Sequence, residues 1–145
     1  MNSRTERPVR SAFSHFSAIQ TRWGDNDAFG HVNNVVYYAY CESTICAYLI
    51  EHEALDIMSS PVIGVVVSSG CTYHASVSFP DLITVGMKVT HLGTSSMRYE
   101  LALFRNDEQQ ASAVVQMTYV YVDRSANDPV PIPASIRDVL GRLMA

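Results

Sequence analysis

The segment from residue 34 to about residue 53 restricts the fold more than any other, because it has helical character and carries apolar side chains on most of its sides. Asn33 or Asn34 is expected to cap its first turn, since an asparagine side chain accepts hydrogen bonds from free backbone N–H groups. A helix that is apolar on most sides must be buried on most sides. The sequence therefore predicts a curved sheet that wraps around this helix.

The rest of the chain is predicted to supply that sheet. Runs of β-branched and aromatic residues, several of them alternating, are separated by turn residues. These runs predict strands over 16–23, 63–69, 71–79, 82–91, 97–105 and 111–123, followed by a short amphipathic helix over 135–144. The last strand is apolar on both faces, which is typical of a central strand or of one at a subunit contact.

The order of one strand, a long helix and then a run of antiparallel strands predicts an α+β fold with the helix on one face of a meander. We expect a single domain over residues 13–145, preceded by a flexible tail over residues 1–12.

Composition and charge argue against several classes of protein. The 145 residues carry a formal net charge of −4, whereas a nucleic-acid-binding domain normally shows a basic stripe. No apolar run is long enough to cross a bilayer, and the polar, basic start of the chain does not resemble a secretory signal. The three cysteines, Cys41, Cys46 and Cys71, suggest no disulfide framework. We therefore expect a cytoplasmic protein with reduced thiols and with neither nucleic acid nor membrane as a partner.

Three side chains capable of acid–base chemistry, Asp25, Asp27 and His31, lie just before the predicted helix. A turn that contains Gly30 would deliver a carboxylate and an imidazole to the helix N-terminus, where free N–H groups and the positive end of the helix dipole collect. Hydrolysis of an acyl compound needs a carboxylate beside an oxyanion-binding group of this kind. Asp27 is the first candidate for a general base or nucleophile; the alternative is a carboxylate that caps its own turn.

The neighbours of Asp27 have both structural and chemical interpretations. Asp25 is predicted to be structural, bonded to Arg22 or to a backbone N–H group. His31 either orients a substrate carbonyl or a water, or bridges the turn to the sheet. Glu42 lies in the middle of the helix and is either a structural hydrogen-bonding group or a second catalytic carboxylate.

Other motifs argue against other chemistries. Cys71 and His74 have C-x-x-H spacing, but a zinc site usually needs paired ligands on two segments, so core cysteines are the better interpretation. The sequence contains no Gly-x-Ser-x-Gly elbow and no Gly-rich phosphate loop.

Residues 27–37, Asp-Ala-Phe-Gly-His-Val-Asn-Asn-Val-Val-Tyr, resemble the D-x-x-G-H-V-N-N-x-x-Y signature of the hotdog-fold acyl-CoA thioesterases, the 4-hydroxybenzoyl-CoA thioesterase-like family. The resemblance implies an antiparallel sheet wrapped around one long central helix, in dimers or tetramers with active sites at the dimer interface. It implies that Asp27 is the catalytic carboxylate and that the backbone N–H of Asn34 polarises the thioester carbonyl. It implies no metal or redox cofactor.

The sequence departs from some relatives in this block. Plant acyl-carrier-protein thioesterases share the H-V-N-N residues but carry a catalytic asparagine where this chain has Phe29, so the resemblance defines the role of His31 less well. Other relatives use a glutamate on the helix, for which Glu42 is the candidate.

An acyl-CoA substrate adds further expectations. CoA carries phosphates, for which Arg98, Lys88 and Arg105 are candidate partners, with Ser95 and Ser96 as possible contacts in a polar turn. Asn33 and Tyr37 complete the predicted substrate-binding set. The expected reaction is hydrolysis of an acyl-CoA thioester to a carboxylic acid and CoA. Two alternatives stay open: a hotdog hydratase or dehydratase acting on acyl thioesters, and a non-catalytic acyl-thioester-binding protein.

Overall fold

A curved antiparallel sheet with a long helix packed on one face forms the centre of the molecule in the computed structural model, which describes residues 6–144. The elements are β1 (His15–Gln20), α1 (Val36–Glu51), β2 (Val62–Tyr73), β3 (Leu82–Leu92), β4 (Ser96–Arg105), β5 (Ala113–Asp123) and α2 (Ala134–Gly141). The strand order across the sheet is β1-β3-β4-β5-β2, and every neighbouring pair is antiparallel. The predicted α+β hotdog fold is therefore confirmed, and β5 is an internal strand.

The inner face of the sheet and one side of α1 form the main core. The buried residues of α1 are Tyr37, Tyr40, Cys41, Thr44, Ile45, Tyr48 and Leu49. The opposite side of α1, which includes Ala39, Glu42 and Ser43, is exposed. The helix is therefore buried on one side, whereas the sequence predicted burial on most sides. The exposed side carries small and polar residues, so it leaves little apolar surface that would need to be covered. Within residues 6–144, neither helix combines the length and the hydropathy that a membrane span requires.

The start of α1 differs from the predicted cap. The helix begins at Val36 with Val35 as its N-cap, and no side chain caps it. Asn33 acts before the helix instead: its side-chain oxygen accepts the Val35 N–H at 3.1 Å, and its carbonyl accepts the Val36 N–H at 2.9 Å. These bonds close a tight turn ahead of the helix, which moves its start past both asparagines.

Strand β2 replaces the two strands predicted over 63–69 and 71–79. A bulge between Val66 and Ser68 bends it without ending it. Beyond Tyr73 the backbone N–H groups of His74 and Ala75 both donate to the carbonyl of Ser112, at 2.8 and 3.0 Å, which breaks the alternating ladder. Strand β2 pairs with β5 along one side, and no described residue pairs with its other side.

The described part of the predicted tail, residues 6–12, is bound to the sheet rather than free. Arg10 donates side-chain hydrogen bonds to the carbonyl of Glu108 at 2.7 Å and to the hydroxyl of Thr84 at 2.8 Å. Its guanidinium also lies 4.9 Å from the ring centre of Phe104, on the outer face of the sheet. An arginine with partners in two hairpins holds this segment in place, which composition alone did not indicate. Residues 1–5 of the predicted tail lie outside the described residues.

Candidate active site

A pocket of about 320 Å³ lies at the N-terminal end of α1. The loop before α1, the first turn of α1 and the chain that follows β2 contribute its walls. The residues that line it are Asp27, His31, Val32, Asn34, Tyr37, Tyr73, His74, Ala75 and Ser76. The fold therefore brings together the three predicted catalytic residues and one predicted substrate-binding residue, Tyr37.

Backbone hydrogen bonds fold the loop so that Asp27 and His31 lie side by side. The Asp27 N–H donates to the carbonyl of His31 at 2.8 Å, and the Gly30 N–H donates to the carbonyl of Asp27 at 3.1 Å. Gly30 adopts φ +83°, a conformation that residues with a Cβ atom rarely take. The Ser78 hydroxyl ties this reversal to the sheet by donating to the carbonyl of Gly30 at 2.9 Å.

The half-buried carboxylate of Asp27 is partly committed to its own turn. One oxygen accepts the Phe29 N–H at 2.9 Å, as expected for an aspartate in a turn. The other oxygen accepts no hydrogen bond from the described residues. Asp27 therefore has one oxygen that holds the turn and one that is available to a molecule in the pocket.

The backbone N–H of Asn34 is the available donor of the same pocket. The next two N–H groups, of Val35 and Val36, are used by the turn at Asn33, whereas no described residue accepts the Asn34 N–H. The carbonyl of Asn34 accepts the Tyr73 hydroxyl at 3.0 Å, which fixes the orientation of this residue. A free N–H at the positive end of a helix favours binding of a negatively charged oxygen.

Asp25 anchors the loop from inside. It is buried, and its carboxylate accepts the Tyr40 hydroxyl at 2.6 Å and the backbone N–H of Arg22 at 2.9 Å. Burial disfavours its charged form, but hydrogen bonds from Tyr40 and Arg22 outweigh this and hold the pKa of Asp25 below its ordinary value. The carbonyl of Asp25 also accepts the Asn33 N–H at 2.9 Å. The prediction that Asp25 is structural and bonded to Arg22 is confirmed.

Four pocket residues, from Tyr73 to Ser76, come from a segment that the sequence did not connect to the site. Tyr73 ends β2, and its ring meets the edge of Tyr37 with centres 5.0 Å apart. His74 follows it, and its Nε2 atom is buried without a partner among the described residues. The C-x-x-H spacing did not place His74 in the site, whereas pairing of β2 with β5 brings it beside the loop.

The remaining predicted substrate contacts do not line this pocket. Asn33 supports the turn and does not line the pocket. Ser95 lies in the turn between β3 and β4, and Ser96 is the first residue of β4. Arg98 lies on the outer face of β4, where its side chain donates to the Thr118 hydroxyl at 3.1 Å. Lys88 and Arg105, also predicted to contact phosphate, pair with Glu100 at 3.6 Å and with Glu108 at 2.5 Å. Glu42 is exposed and borders a different cavity.

Comparisons with known proteins agree with this architecture. The model of the thioesterase-like superfamily matches residues 21–140. YsmA of Bacillus subtilis is 30% identical over 90 residues, and the match spans 61% of this chain and 59% of that protein, less than two thirds of its length.

Solved structures are similar over nearly the whole chain. The PA5185 protein of Pseudomonas aeruginosa is 48% identical with a TM-score of 0.94, over 97% of this chain and 98% of that one. Slr0204 from Synechocystis, a 1,4-dihydroxy-2-naphthoyl-CoA thioesterase, has a TM-score of 0.79 at 16% identity, over 88% of this chain and 96% of that one, a likeness in fold. Because the family model matches most of the chain, the protein belongs to the thioesterase-like superfamily.

Proposed function

We propose that this protein is an acyl-CoA thioesterase, which hydrolyses an acyl-CoA thioester to a free carboxylic acid and CoA. Membership of the superfamily supports thioester hydrolysis in general. The observation that carries the specific proposal is the pairing, in one pocket, of a carboxylate oxygen of Asp27 and a backbone N–H of Asn34 that no described residue uses.

The reaction needs two functions that this pair supplies. The thioester carbonyl oxygen accepts the Asn34 N–H, which stabilises the negative charge that develops when the carbonyl carbon is attacked. Asp27 then acts by one of two routes. As a general base it takes a proton from water while the water oxygen bonds to the carbonyl carbon; the C–S bond breaks, and the departing thiolate recovers the proton. As a nucleophile it forms a mixed anhydride and releases thiolate, and water then hydrolyses the anhydride.

The residues around this pair have supporting roles in the proposal. His31 is exposed at the pocket, where it orients the carbonyl or the attacking water. Tyr73 fixes the peptide of Asn34 through its carbonyl, and Tyr37 forms the wall against which the substrate rests. Asn33 contributes by shaping the turn. Arg98, with Ser95 and Ser96, is the candidate contact for the phosphate end of CoA, which extends beyond the pocket.

The unpaired side of β2 supports a homodimer in which this strand pairs with its counterpart, alone or within a tetramer. An edge strand of twelve residues that exposes its backbone groups is a template for pairing with another chain. The candidate pocket includes Tyr73, the last residue of β2, so the active site lies at this proposed interface.

The test is CoA release from a panel of short, medium, long and aryl acyl-CoA esters, measured by separating the products chromatographically so that the protein's own thiols do not contribute. Asp27→Asn removes the charge but keeps an oxygen that can accept the Phe29 N–H. Asp56→Asn is the matched control, because Asp56 Oδ1 accepts the Met58 N–H at 3.0 Å in a similar turn away from the pocket.

We expect wild type and Asp56→Asn to release CoA, and Asp27→Asn to lose about a thousandfold in kcat/KM, within the range for loss of a general base. A folded Asp27→Asn protein that retained full activity would refute the role of Asp27. Conversion of an enoyl or 3-hydroxyacyl thioester without thiol release would identify a hydratase instead.

A further inference from the structure

The imidazole of His31 is placed by its backbone alone. His31 is exposed at the candidate pocket, and its ring makes no hydrogen bond or ion pair with a described residue. Its carbonyl accepts the Asp27 N–H at 2.8 Å, and the peptide group on its other side joins it to Gly30. The orientation of that peptide group therefore decides where the imidazole lies relative to the carboxylate of Asp27.

One side chain holds the peptide between Gly30 and His31. The Ser78 hydroxyl donates to the Gly30 carbonyl at 2.9 Å, and no other described residue bonds to that oxygen. The segment over residues 77–79 also bonds to the base of the loop. There the Val32 N–H donates to one of its carbonyls at 2.8 Å, and the Asn26 side-chain oxygen accepts one of its N–H groups at 3.0 Å. These two bonds fix the ends of the turn, whereas the Ser78 hydroxyl reaches its tip.

The backbone of Ser78 is itself anchored to the sheet. Its N–H donates to Asp81 Oδ2 at 3.0 Å, and its carbonyl accepts the Asp81 N–H at 2.8 Å. Asp81 Oδ1 accepts the side-chain amide of Asn106, the residue after β4, at 3.1 Å. A chain of hydrogen bonds therefore runs from the end of β4 to the Gly30 carbonyl. A hydroxyl on a backbone that is held in this way keeps its partner in one orientation.

The bond from Ser78 should matter more for orientation than for stability. Ser78 is half-buried and its bond to Gly30 is open to solvent, so water can accept the role of the hydroxyl in a variant. That water is not fixed to the chain, so it leaves the peptide free to rotate. Asp27 depends less on this bond, because the Phe29 N–H holds its carboxylate within the turn at 2.9 Å.

We propose that Ser78 is a positioning residue of the candidate active site. Its hydroxyl fixes the peptide between Gly30 and His31 and so keeps the imidazole where it orients the thioester carbonyl or the attacking water. The inference rests on the proposed thioesterase function. Ser78 does not line the pocket, so its effect on the reaction passes through His31.

The first test measures kcat and KM for CoA release from the best ester of the panel. The variants are Ser78→Ala and Ser78→Thr, which keeps a hydroxyl, with Ser78→Ala also combined with His31→Ala. Ser125→Ala is the matched control. The Ser125 hydroxyl donates to Asp123 Oδ1 at 2.8 Å in an exposed turn, beyond the end of β5 that is farther from Tyr73.

We expect Ser78→Ala to lower kcat about tenfold with KM and Tm nearly unchanged, the result of a misplaced group rather than of lost binding. Ser78→Thr and Ser125→Ala should keep the wild-type kcat. In a His31→Ala background, Ser78→Ala should cause no further loss, because the imidazole that it places is gone. With Tyr73→Phe the two losses should multiply, since Tyr73 acts on Asn34 instead.

The second test needs no turnover. NMR detects the ring C–H resonances of His31, which are identified by their absence from the spectrum of His31→Ala. Ser78→Ala should shift these resonances and leave those of the other histidines in place, because only the peptide next to His31 is released. Ser125→Ala should leave all of them unchanged.

Four results would overturn the assignment: full kcat in Ser78→Ala, full activity in His31→Ala, a tenfold loss that persists in the His31→Ala background, or unshifted His31 resonances in Ser78→Ala. Its failure is separable from that of the proposed function. Shifted His31 resonances in a protein that releases no CoA would retain the placement of His31 by Ser78 and refute the thioesterase. CoA release that requires Asp27 but ignores Ser78 would do the reverse.

Discussion

The Tyr40→Phe substitution should destabilise the fold measurably, because it removes a 2.6 Å hydrogen bond to the buried carboxylate of Asp25. A hydrogen bond to a charged group contributes about 1.5–3 kcal/mol, more than one between neutral groups. Arg22 still contacts the carboxylate in the variant, so we expect a loss of about 2 kcal/mol at neutral pH. For a chain of this size that loss corresponds to a fall of roughly 4–8 °C in Tm.

The loss of stability caused by Tyr40→Phe should depend on pH in a defined direction. The pKa of Asp25 is below its ordinary value in the folded protein, so its contribution to stability is present above the unfolded-state pKa of about 3.9 and is lost as pH falls through the folded-state pKa. Removing the Tyr40 hydroxyl raises the folded-state pKa toward that ordinary value. The stability difference between wild type and Tyr40→Phe is therefore full near pH 7 and narrows below about pH 4.

Urea unfolding followed by circular dichroism at several pH values measures this difference directly. Tyr48→Phe is the matched comparison, since it removes a 2.7 Å bond to the neutral carbonyl of Val139 and should cost about 1 kcal/mol with little pH dependence. Tyr38→Phe should change stability by less than about 0.5 kcal/mol. Equal losses in Tyr40→Phe and Tyr48→Phe, or a Tyr40→Phe deficit that does not vary with pH, would refute the reasoning.

Three further substitutions test other parts of the structure. Tyr73→Phe removes the bond to the Asn34 carbonyl and should lower kcat about tenfold with KM and stability nearly unchanged, by steady-state kinetics and thermal unfolding. Gly30→Ala meets open space but forces φ +83° on a residue with a Cβ atom, so it should cost about 1 kcal/mol in urea unfolding and lower activity; an unaffected protein would refute the requirement for glycine. Arg10→Ala should cost about 1–2 kcal/mol and increase proteolysis of the N-terminal segment, whereas unchanged cleavage would contradict its anchoring role.

The sequence predicted the elements of the fold well because their signals are local. Alternation in the strands and the long helical segment depend on each residue and its near neighbours. The errors lie where a tertiary contact decides the outcome. The carbonyl of Ser112, the residue before β5, ends β2 at Tyr73. Arg10 bonds its own segment, whose composition resembles that of a free tail, to Glu108 and Thr84.

The residues of the candidate site also fall into two groups: those that local sequence predicts and those that only tertiary contacts bring to the pocket. Asp27, His31 and Asn34 are close in sequence, so one turn brings them together and the spacing predicts it. His74 and Tyr73 reach the pocket through pairing of β2 with β5, which no local pattern reveals. Arg98 shows why spacing alone does not place a side chain: it neighbours Tyr99 on β4, and strand alternation sends the two side chains to opposite faces, so the arginine lies on the outer face and the tyrosine is buried.

The two aspartates of the loop have a consequence for mutational scanning. Asp25 and Asp27 are two residues apart, and loss of either should score as inactive in a screen of cells or lysates, one through failure of the loop to hold its shape and the other through failure of the reaction. A map of mutational sensitivity would therefore assign both to catalysis. Normalising activity to the amount of folded protein separates them. Asp25 variants should yield little folded protein, whereas Asp27→Asn should yield a normal amount of folded protein that has no activity.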